Sequence, residues 1–451
     1  MENDAEEKKK QTVPTTSAVL DDGTMIELVY NPERRKTFLA VWNAGRWTLQ
    51  DRVTTSGGIT LVPFSPENNL IANDAVLLAS EPCIYGSEDE LVSEIQGVIH
   101  RYVDLSPTFE KVATHYVLLT WLHDAFNELP YLRLRGDFGS GKTRALLTIG
   151  SLCYKAFFAS GASTVSPIFH TLNAFRGTLI LDEADFRFSD AKADIVKILN
   201  NGNVRGMPIL RTMMNRQREF NPQAFQVFGP KIVATRSSYE DKGLESRFIT
   251  EEMGSRKLRA DIPINLPDGF REEARELRNK LLLFRFHHRF EIKLDASLAD
   301  RKLEPRLNQI LLPLLSVISD QNLRAELQSV ALHAQANLVA ERGLQVEAQV
   351  LEILAELMAT TDRAVVPVAD VTLGLIERYG AEYERPITNR WIGGVLRKRL
   401  NISTYKSHGI YVVPMSEHAK VELLCTRYGI NSIADVTAAV QSGDVGTSGT
   451  S

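Results

Sequence analysis

The chain has 451 residues, 44% of them hydrophobic and 24% charged, with a formal net charge of -4 at pH 7. That is a globular makeup for about two to four domains, and it excludes a surface-wide cationic coat, so any nucleic-acid binding must rest on local basic patches. The scattered Cys83, Cys153 and Cys425 fit neither a disulfide framework nor a zinc knuckle, and no run reaches the ~18 apolar residues of a membrane span, so a soluble cytoplasmic protein is expected.

Residues 1–20 are charged and then rich in Thr, Ser and Pro, which predicts a disordered lead-in. Residues 21–85 carry short β-like runs separated by turn signals such as Asn31-Pro32 and Ser56-Gly57-Gly58, and predict a small β-rich module. Residues 86–255 open with helical periodicity, Leu91, Ile95 and Ile99 and then Val112, Tyr116 and Leu119. From Tyr131 they alternate strand-like and helix-like segments, as a parallel α/β sheet requires. Residues 256–360 predict a helical lid or linker. Across 361–440, helices over Val368 to Tyr379 and Thr388 to Leu400 precede β-like pieces around His408 and Gly409, the order of a winged helix. The Gly/Ser/Thr-rich residues 441–451 predict a disordered tail.

The strand-like Tyr131 to Arg135 runs into Gly136, Asp137, Phe138, Gly139, Ser140, Gly141, Lys142 and Thr143, a full match to the phosphate loop G-x-x-x-x-G-K-[ST], and a helix-like segment follows. The glycines let backbone N–H groups wrap phosphates at a helix N-terminus. Lys142 then meets the β- and γ-phosphates of ATP, and Thr143 ligates Mg²⁺. Downstream, the apolar Thr178 to Leu181 delivers Asp182 and Glu183 at the carboxyl end of a strand, where open α/β sheets put ligands. Asp182 is expected to hold Mg²⁺ through water and Glu183 to act as general base in ATP hydrolysis.

A second apolar strand, Lys231 to Thr235, is followed by Leu244, Glu245, Ser246, Arg247 and Phe248. In this order the chain resembles the AAA+ P-loop ATPases. The resemblance implies Thr235 as the sensor 1 residue, Arg247 as an arginine finger for a neighbouring subunit, and Arg306, at the start of a later helix, as a sensor 2 contact to nucleotide. Residues 207–229 form a predicted hairpin with a polar apex at Asn215 to Arg218. A hairpin just ahead of the sensor strand resembles that of superfamily 3 and minichromosome-maintenance helicases, and of ATPases of phages and other mobile elements. The sensor strand departs from these in ending in Thr235 rather than Asn. The resemblance implies that Arg211, Arg216 and Arg218 hold single-stranded DNA in the channel of a homo-hexameric ring, with a primase or origin-binding protein as a possible partner.

The C-terminal module adds a basic cluster: residues 385–406 hold six Lys or Arg and no Asp or Glu. Such clustering is the electrostatic footprint of DNA binding. Arg390, Arg397 and Lys398 are expected on the exposed face of a recognition-like helix, above Trp391, Val395 and Leu396, with Lys406 on the wing against duplex DNA. Two functions stay open: an ATP-dependent DNA helicase or translocase in replication, and an ATP-switched DNA-binding initiator or regulator that unwinds nothing.

Overall fold

The computed structural model describes residues 12–161, 163–184, 190–214, 220–239, 241–343, 345–383 and 386–442. The chain divides into two compact units, Met1–Ser329 and Val330–Ser451. Runs of β-branched and aromatic residues build the first seven strands, β1 (Thr12–Thr15), β2 (Ser17–Val19), β3 (Met25–Asn31), β4 (Lys36–Asn43), β5 (Arg46–Gln50), β6 (Val53–Thr54) and β7 (Thr60–Pro63). Strands β2 to β5 make an antiparallel sheet in sequence order, and β1, β7 and β6 make a second sheet in which β1 runs parallel to β7. The expected disordered lead-in is therefore corrected from Thr12 onward: Thr12, Val13 and Thr15 are β-prone, and β7 supplies the partner that local polarity does not reveal.

The β-rich segment does not stand apart from the central sheet. Leu28, Ile71, Val76 and Leu78 share one buried cluster with Tyr131, Phe169 and Leu181. An ionic knot ties the segment to later parts of the chain as well: the buried Glu27 carboxylate accepts from Lys155 Nζ at 2.7 Å, Arg285 Nε at 2.8 Å and Tyr154 Oη at 2.8 Å. Burial works against ionisation of Glu27, but the Lys155 and Arg285 charges prevail and hold its carboxyl below the ordinary range.

Helices α1 (Asn69–Ala72), α2 (Glu88–Tyr102) and α3 (Pro107–Leu122) come next. A capping box between Ser87 and Glu90 starts α2, and the Ser106 hydroxyl with Pro107 starts α3. The central sheet then alternates with helices: β8 (Tyr131–Arg135), α4 (Lys142–Gly150), β9 (Phe157–Ala159), α5 (Val165–Phe175), β10 (Leu179–Leu181) and α6 (Asp190–Asn201). After a hairpin of β11 (Ile209–Met214) and β12 (Phe220–Phe225) come β13 (Lys231–Thr235), α7 (Lys242–Glu245) and β14 (Phe248–Glu252). The five strands are parallel in the order β14-β8-β13-β10-β9. The near-continuous burial of the central β10 and β13 explains why Leu179–Leu181 and Ile232–Ala234 read as unbroken apolar runs.

Helix α8 (Phe270–His288) lies in the segment expected as a helical lid or linker, and its arginines anchor it. Arg285 donates to both Asp124 oxygens at 2.7 and 2.9 Å as well as to Glu27, and the buried Arg278 donates to the carbonyls of Leu78 at 3.0 Å and Ser151 at 2.7 Å. Buried guanidiniums paired in this way cannot be drawn out without a large desolvation and pairing cost. Helices α9 (Pro305–Val317) and α10 (Gln321–Gly343) follow, with α9 packed on α3.

The second unit contains α11 (Val346–Thr360), β15 (Val365–Pro367), α12 (Val368–Tyr379), α13 (Asn389–Gly394), β16 (Tyr405–Ser407), β17 (Ile410–Pro414), α14 (His418–Tyr428) and α15 (Ile433–Ser442). After α13 the chain keeps turning as a π-helix over Val395–Arg399. The sheet order is β15-β17-β16, all antiparallel. Leu351, Leu354 and Met358 of α11 enter one core with Val371, Leu375, Ile392 and Leu396, so α11 belongs with this unit rather than with a lid. Among the described residues no helix is long and apolar enough to cross a membrane.

Candidate functional site

The parallel register puts the carboxyl ends of β8, β13 and β10 side by side, and the expected site residues of the phosphate loop, Asp182, Glu183 and Thr235 meet there. β8 ends at Arg135, and the loop that follows turns on Gly139 (φ 77°) and Gly141 (φ 87°), left-handed conformations that a side chain strains. Gly136 is needed for closeness, because a Cβ there would collide with the Met253 carbonyl oxygen. Gly141 caps α4, whose first two residues are Lys142 and Thr143. Asp137 and Phe138 lie on the exposed outer side of the loop, Phe138 at 90% exposure, and Ser140 Oγ donates back to the Asp137 carbonyl at 2.8 Å.

Lys142 Nζ folds onto the loop it follows, donating to the carbonyls of Gly136 at 2.6 Å and Asp137 at 2.7 Å. Thr143 Oγ1 donates to Asp182 Oδ2 at 2.7 Å, bringing together residues 39 apart in sequence. The other Asp182 oxygen accepts the Glu183 N–H at 2.8 Å, and Glu183 is held at φ 54° with its side chain exposed. A left-handed non-glycine residue at a strand end is strained backbone of the kind found at functional sites. Thr235 ends β13 at 1% exposure, and its hydroxyl has no partner among the described residues. A buried hydroxyl left unpaired costs about 1–3 kcal/mol, so an incoming polar group would be favoured there.

This donor and acceptor set fits a magnesium triphosphate. Cationic Lys142 and the α4 N-terminus suit the anion. The Thr143 hydroxyl and Asp182 carboxylate are oxygen ligands suited to Mg²⁺, and Thr235 is an unsatisfied polar group beside them. Beside the loop lies a hollow of about 390 Å³ walled by Val103, Asp104, Met253, Arg256, Leu258 and Ile262. Arg144 closes one side by donating to the Pro263 carbonyl at 3.0 Å. None of these wall residues was identified from the sequence. They come from three separate stretches, and only the fold, with β14 beside β8, brings them to the loop.

The opposite edge of the sheet holds the two remaining arginines. Arg247 immediately precedes β14, and its carbonyl accepts the Tyr131 N–H at 2.9 Å, so it sits at the amino end of β8. The strand's length separates it from its own phosphate loop, roughly 16 Å at ~3.3 Å per residue. Arg247 donates to Asn203 Oδ1 at 2.9 Å, Asn200 Oδ1 at 2.6 Å and the Gly243 carbonyl at 2.8 Å. Arg306 donates to that same carbonyl at 2.7 Å. Burial first, and then the Arg306 charge, lowers the Arg247 pKa. Arg306, expected as a sensor 2 contact to nucleotide, lies away from its own phosphate loop: α9 packs on α3 and sets its first turn beside Arg247, in a hollow with Asn203 and Gln309.

The hairpin ahead of β13 forms as expected, with Ile209 paired to Phe225 and Met214 to Phe220. Arg211, expected to reach DNA, does not project freely. Its guanidinium donates to Asp194 at 2.5 Å and lies 4.1 Å from the centre of the Phe169 ring, so it pins the hairpin's base to α6 and α5. Arg216 and Arg218 lie outside the described residues. Beneath the hairpin, the fully buried Lys231 Nζ donates to the carbonyls of Gly202 at 3.2 Å, Val227 at 2.9 Å and Gly229 at 2.9 Å, and burial pushes its pKa down to about 7.

In the second unit Ile392, Val395 and Leu396 are buried while Arg390, Arg397, Lys398 and Lys406 are exposed. Trp391 is half-buried against Tyr383, and Arg385 lies outside the described residues. Arg397 donates to Thr404 Oγ1 at 2.9 Å.

No family model matches the sequence, and no curated protein matches it. Among solved structures, the chain is similar to the apo C-terminal region of NrS-1, with 12% identity over 86% of this chain and 96% of that one at a TM-score of 0.37. It is also similar to the JCV helicase, with 14% identity over 56% of this chain and 62% of that one at a TM-score of 0.24. The Aeropyrum pernix ORC1 protein in complex with DNA gives 13% identity over 74% of this chain and 97% of that one at a TM-score of 0.21.

Proposed function

We propose that this chain is an ATP-dependent DNA helicase or translocase that works as a ring of identical subunits, a hexamer, in DNA replication. The observation that carries the ATPase reading is the 2.7 Å bond from Thr143 to Asp182, made beside Lys142 and the unpaired Thr235 hydroxyl where the central strands end. In this reading Lys142 and the amides of residues 138–141 bind the phosphates, displacing the Lys142 contacts to its own loop carbonyls. Thr143 and Asp182 would hold Mg²⁺, which supplies charge neutralisation at the β- and γ-oxygens. Glu183 takes the proton of the attacking water, and Thr235 orients the γ-phosphate. The hollow lined by Val103, Met253 and Ile262 would take the base, with Asp104 as its polar edge.

The ring supplies what one subunit lacks. Arg247 and Arg306 converge on one carbonyl at the far edge of the sheet, and among the described residues neither is paired with a carboxylate. Two cations poised this way suit a neighbour's triphosphate, where a planar guanidinium matches charge spreading over equatorial oxygens. The hairpin apex, with Arg216 and Arg218, would then meet single-stranded DNA, and the second unit, read as a winged helix, would meet duplex through Arg390, Arg397, Lys398 and Lys406.

One observation favours the other reading, an ATP-switched DNA-binding initiator or regulator. Arg211 is bound to Asp194 and so is lost from the cations a channel would offer. A single experiment separates the two: displacement of a strand from a forked duplex, with Glu183→Gln as the hydrolysis-dead control, while assembly is followed by mass. ATP-dependent displacement by a nucleotide-induced ring supports the motor. Nucleotide-dependent DNA binding without displacement supports the switch.

A further inference from the structure

The hairpin of the second unit carries side chains that phosphate binding does not require. Strands β16 and β17 are joined by His408 (φ 48°) and Gly409 (φ 90°), a two-residue turn with both positions left-handed, as a tight antiparallel ribbon demands. Away from the turn, Val412 and Val413, on opposite faces of the ribbon, are buried at 1% and 0% exposure and fix it in place. Towards the turn both faces are open: Tyr405 and Ile410 share one, 48% and 50% exposed, and Tyr411 stands on the other, 53% exposed. In register, Lys406 lies directly across from Tyr411, and the Arg397 guanidinium lies 5.3 Å from the centre of the Tyr411 ring.

Charge selects the occupant. From residue 386 to Ser416 the sequence contains no Asp or Glu, while Arg390, Arg397, Lys398, Arg399 and Lys406 are cationic. Only Arg399 among them forms an ion pair among the described residues, with Glu347 at 3.1 Å. An acid-free cationic rim around aromatic tips suits a polyanion that also offers flat apolar faces, and paired duplex hides those faces in its stack. Unpaired bases expose them, and aromatic side chains stack on bases of any sequence.

We infer that the wing is a base-stacking pin: Tyr405, Ile410 and Tyr411 engage unpaired bases where a DNA duplex opens into a single strand, and Arg397 and Lys406 hold the adjoining phosphates. This rests on the reading of the second unit as a DNA-binding element, and it changes the preferred substrate from uninterrupted duplex to the junction.

The test uses the full chain without nucleotide, two labelled DNAs of equal length, a forked duplex and a blunt duplex, and 2-aminopurine at the first unpaired position of the fork. The wild type is expected to bind the fork more tightly and to change the 2-aminopurine signal on binding. Tyr411→Ala and Tyr405→Ala should each weaken fork binding roughly ten-fold, leave blunt-duplex binding within about two-fold and abolish that signal change. Tyr411→Phe should retain it, while Arg390→Ala with Lys398→Ala should weaken both DNAs alike. Equal losses on both DNAs from the tyrosine changes, no loss on either, or a Tyr411→Phe that behaves like Tyr411→Ala would overturn the pin. If Arg390→Ala with Lys398→Ala leaves binding to both DNAs intact, the DNA reading of the unit fails and the pin falls with it. Melting temperatures equal to wild type confirm that these exposed substitutions leave the fold in place.

Discussion

Lys142 and Lys231 sit at opposite edges of one parallel sheet, and the ammonium group of each is held by main-chain carbonyls. Around Lys142 the arrangement is provisional: the side chain is half-buried, its carbonyl partners belong to its own loop, and an exposed helix start adjoins it. Around Lys231 it is closed. That lysine has 0% exposure, and its partners come from the end of α6 and the exit of the hairpin. A lysine thus becomes a ligand-binding group or a structural clamp according to whether its partners can be exchanged for a ligand. Among the described residues, burial and the origin of the carbonyls separate the two cases, and residue type does not.

Arg247 tests this distinction hardest, because it shares an edge with Lys231 yet has the exchangeable character of Lys142, with two side-chain amides and two carbonyls as partners. Arg247→Ala is expected to lower ATP turnover roughly 10³-fold or more while ATP binding persists, the signature of a finger acting on a neighbour's nucleotide. Mixing Arg247→Ala with Lys142→Ala subunits should restore part of the activity, since some interfaces regain both groups. Steady-state turnover of the mixtures checks this, and an absence of any restoration would mean that the two groups do not share a site. Lys142→Ala alone should cost roughly 10²- to 10³-fold in turnover and most of the affinity for ATP, with an unchanged melting temperature. A fall of several degrees would place Lys142 with Lys231 as a clamp and break the comparison.

Lys231→Met keeps the side chain's length and removes the charge, leaving the Gly202, Val227 and Gly229 carbonyls without their buried donor. Each orphaned acceptor costs about 1–3 kcal/mol, partly offset because an ammonium need no longer be desolvated, so a net loss of about 3–4 kcal/mol in urea unfolding is expected. Basal ATP turnover in the surviving folded protein should stay within a few-fold of wild type. A variant as stable as wild type would show that the three carbonyls find other donors and that the clamp is dispensable.

The same contrast explains which parts were legible in the sequence. The phosphate loop, Asp182 and Glu183, the strand ending in Thr235 and the hairpin each announce themselves within a few residues, because glycine spacing and apolar runs are local signals. The closed surroundings are long-range and were not legible. Glu27 meets Arg285 across 258 residues, and Thr12–Thr15 becomes a strand only because β7 lies beside it. Arg211 read as a DNA contact because an arginine on a strand looks alike in sequence whether its partner is solvent, a ligand or Asp194. That Arg306 would sit beside Arg247, on the Gly243 carbonyl, was equally hidden, because it depends on α9 packing on α3. In the second unit the helix order and the basic cluster were readable, whereas the exposed Tyr411 looked like one more strand residue until its register across from Lys406 was known.

The smallest expected effect concerns His123, which lies at the end of α3, fully buried, with its Nδ1 2.8 Å from the Thr120 carbonyl. Burial lowers its pKa from 6.5 to about 4, against the pull of the adjacent Asp124 carboxylate. Between about pH 6.5 and 4 the unfolded chain therefore holds a proton on this ring that the folded chain does not. Unfolding takes that proton up, and stability falls as the pH drops through this window, by about 3 kcal/mol in total. The paired carboxylates of Glu27 and Asp124 have depressed values, so their contributions fade only at more acidic pH. Urea midpoints at pH 7 and pH 5 measure the slope, and His123→Phe should flatten it while retaining the ring packing against Tyr154. An unchanged slope in that variant would mean that His123 does not set the acid sensitivity between pH 7 and pH 5.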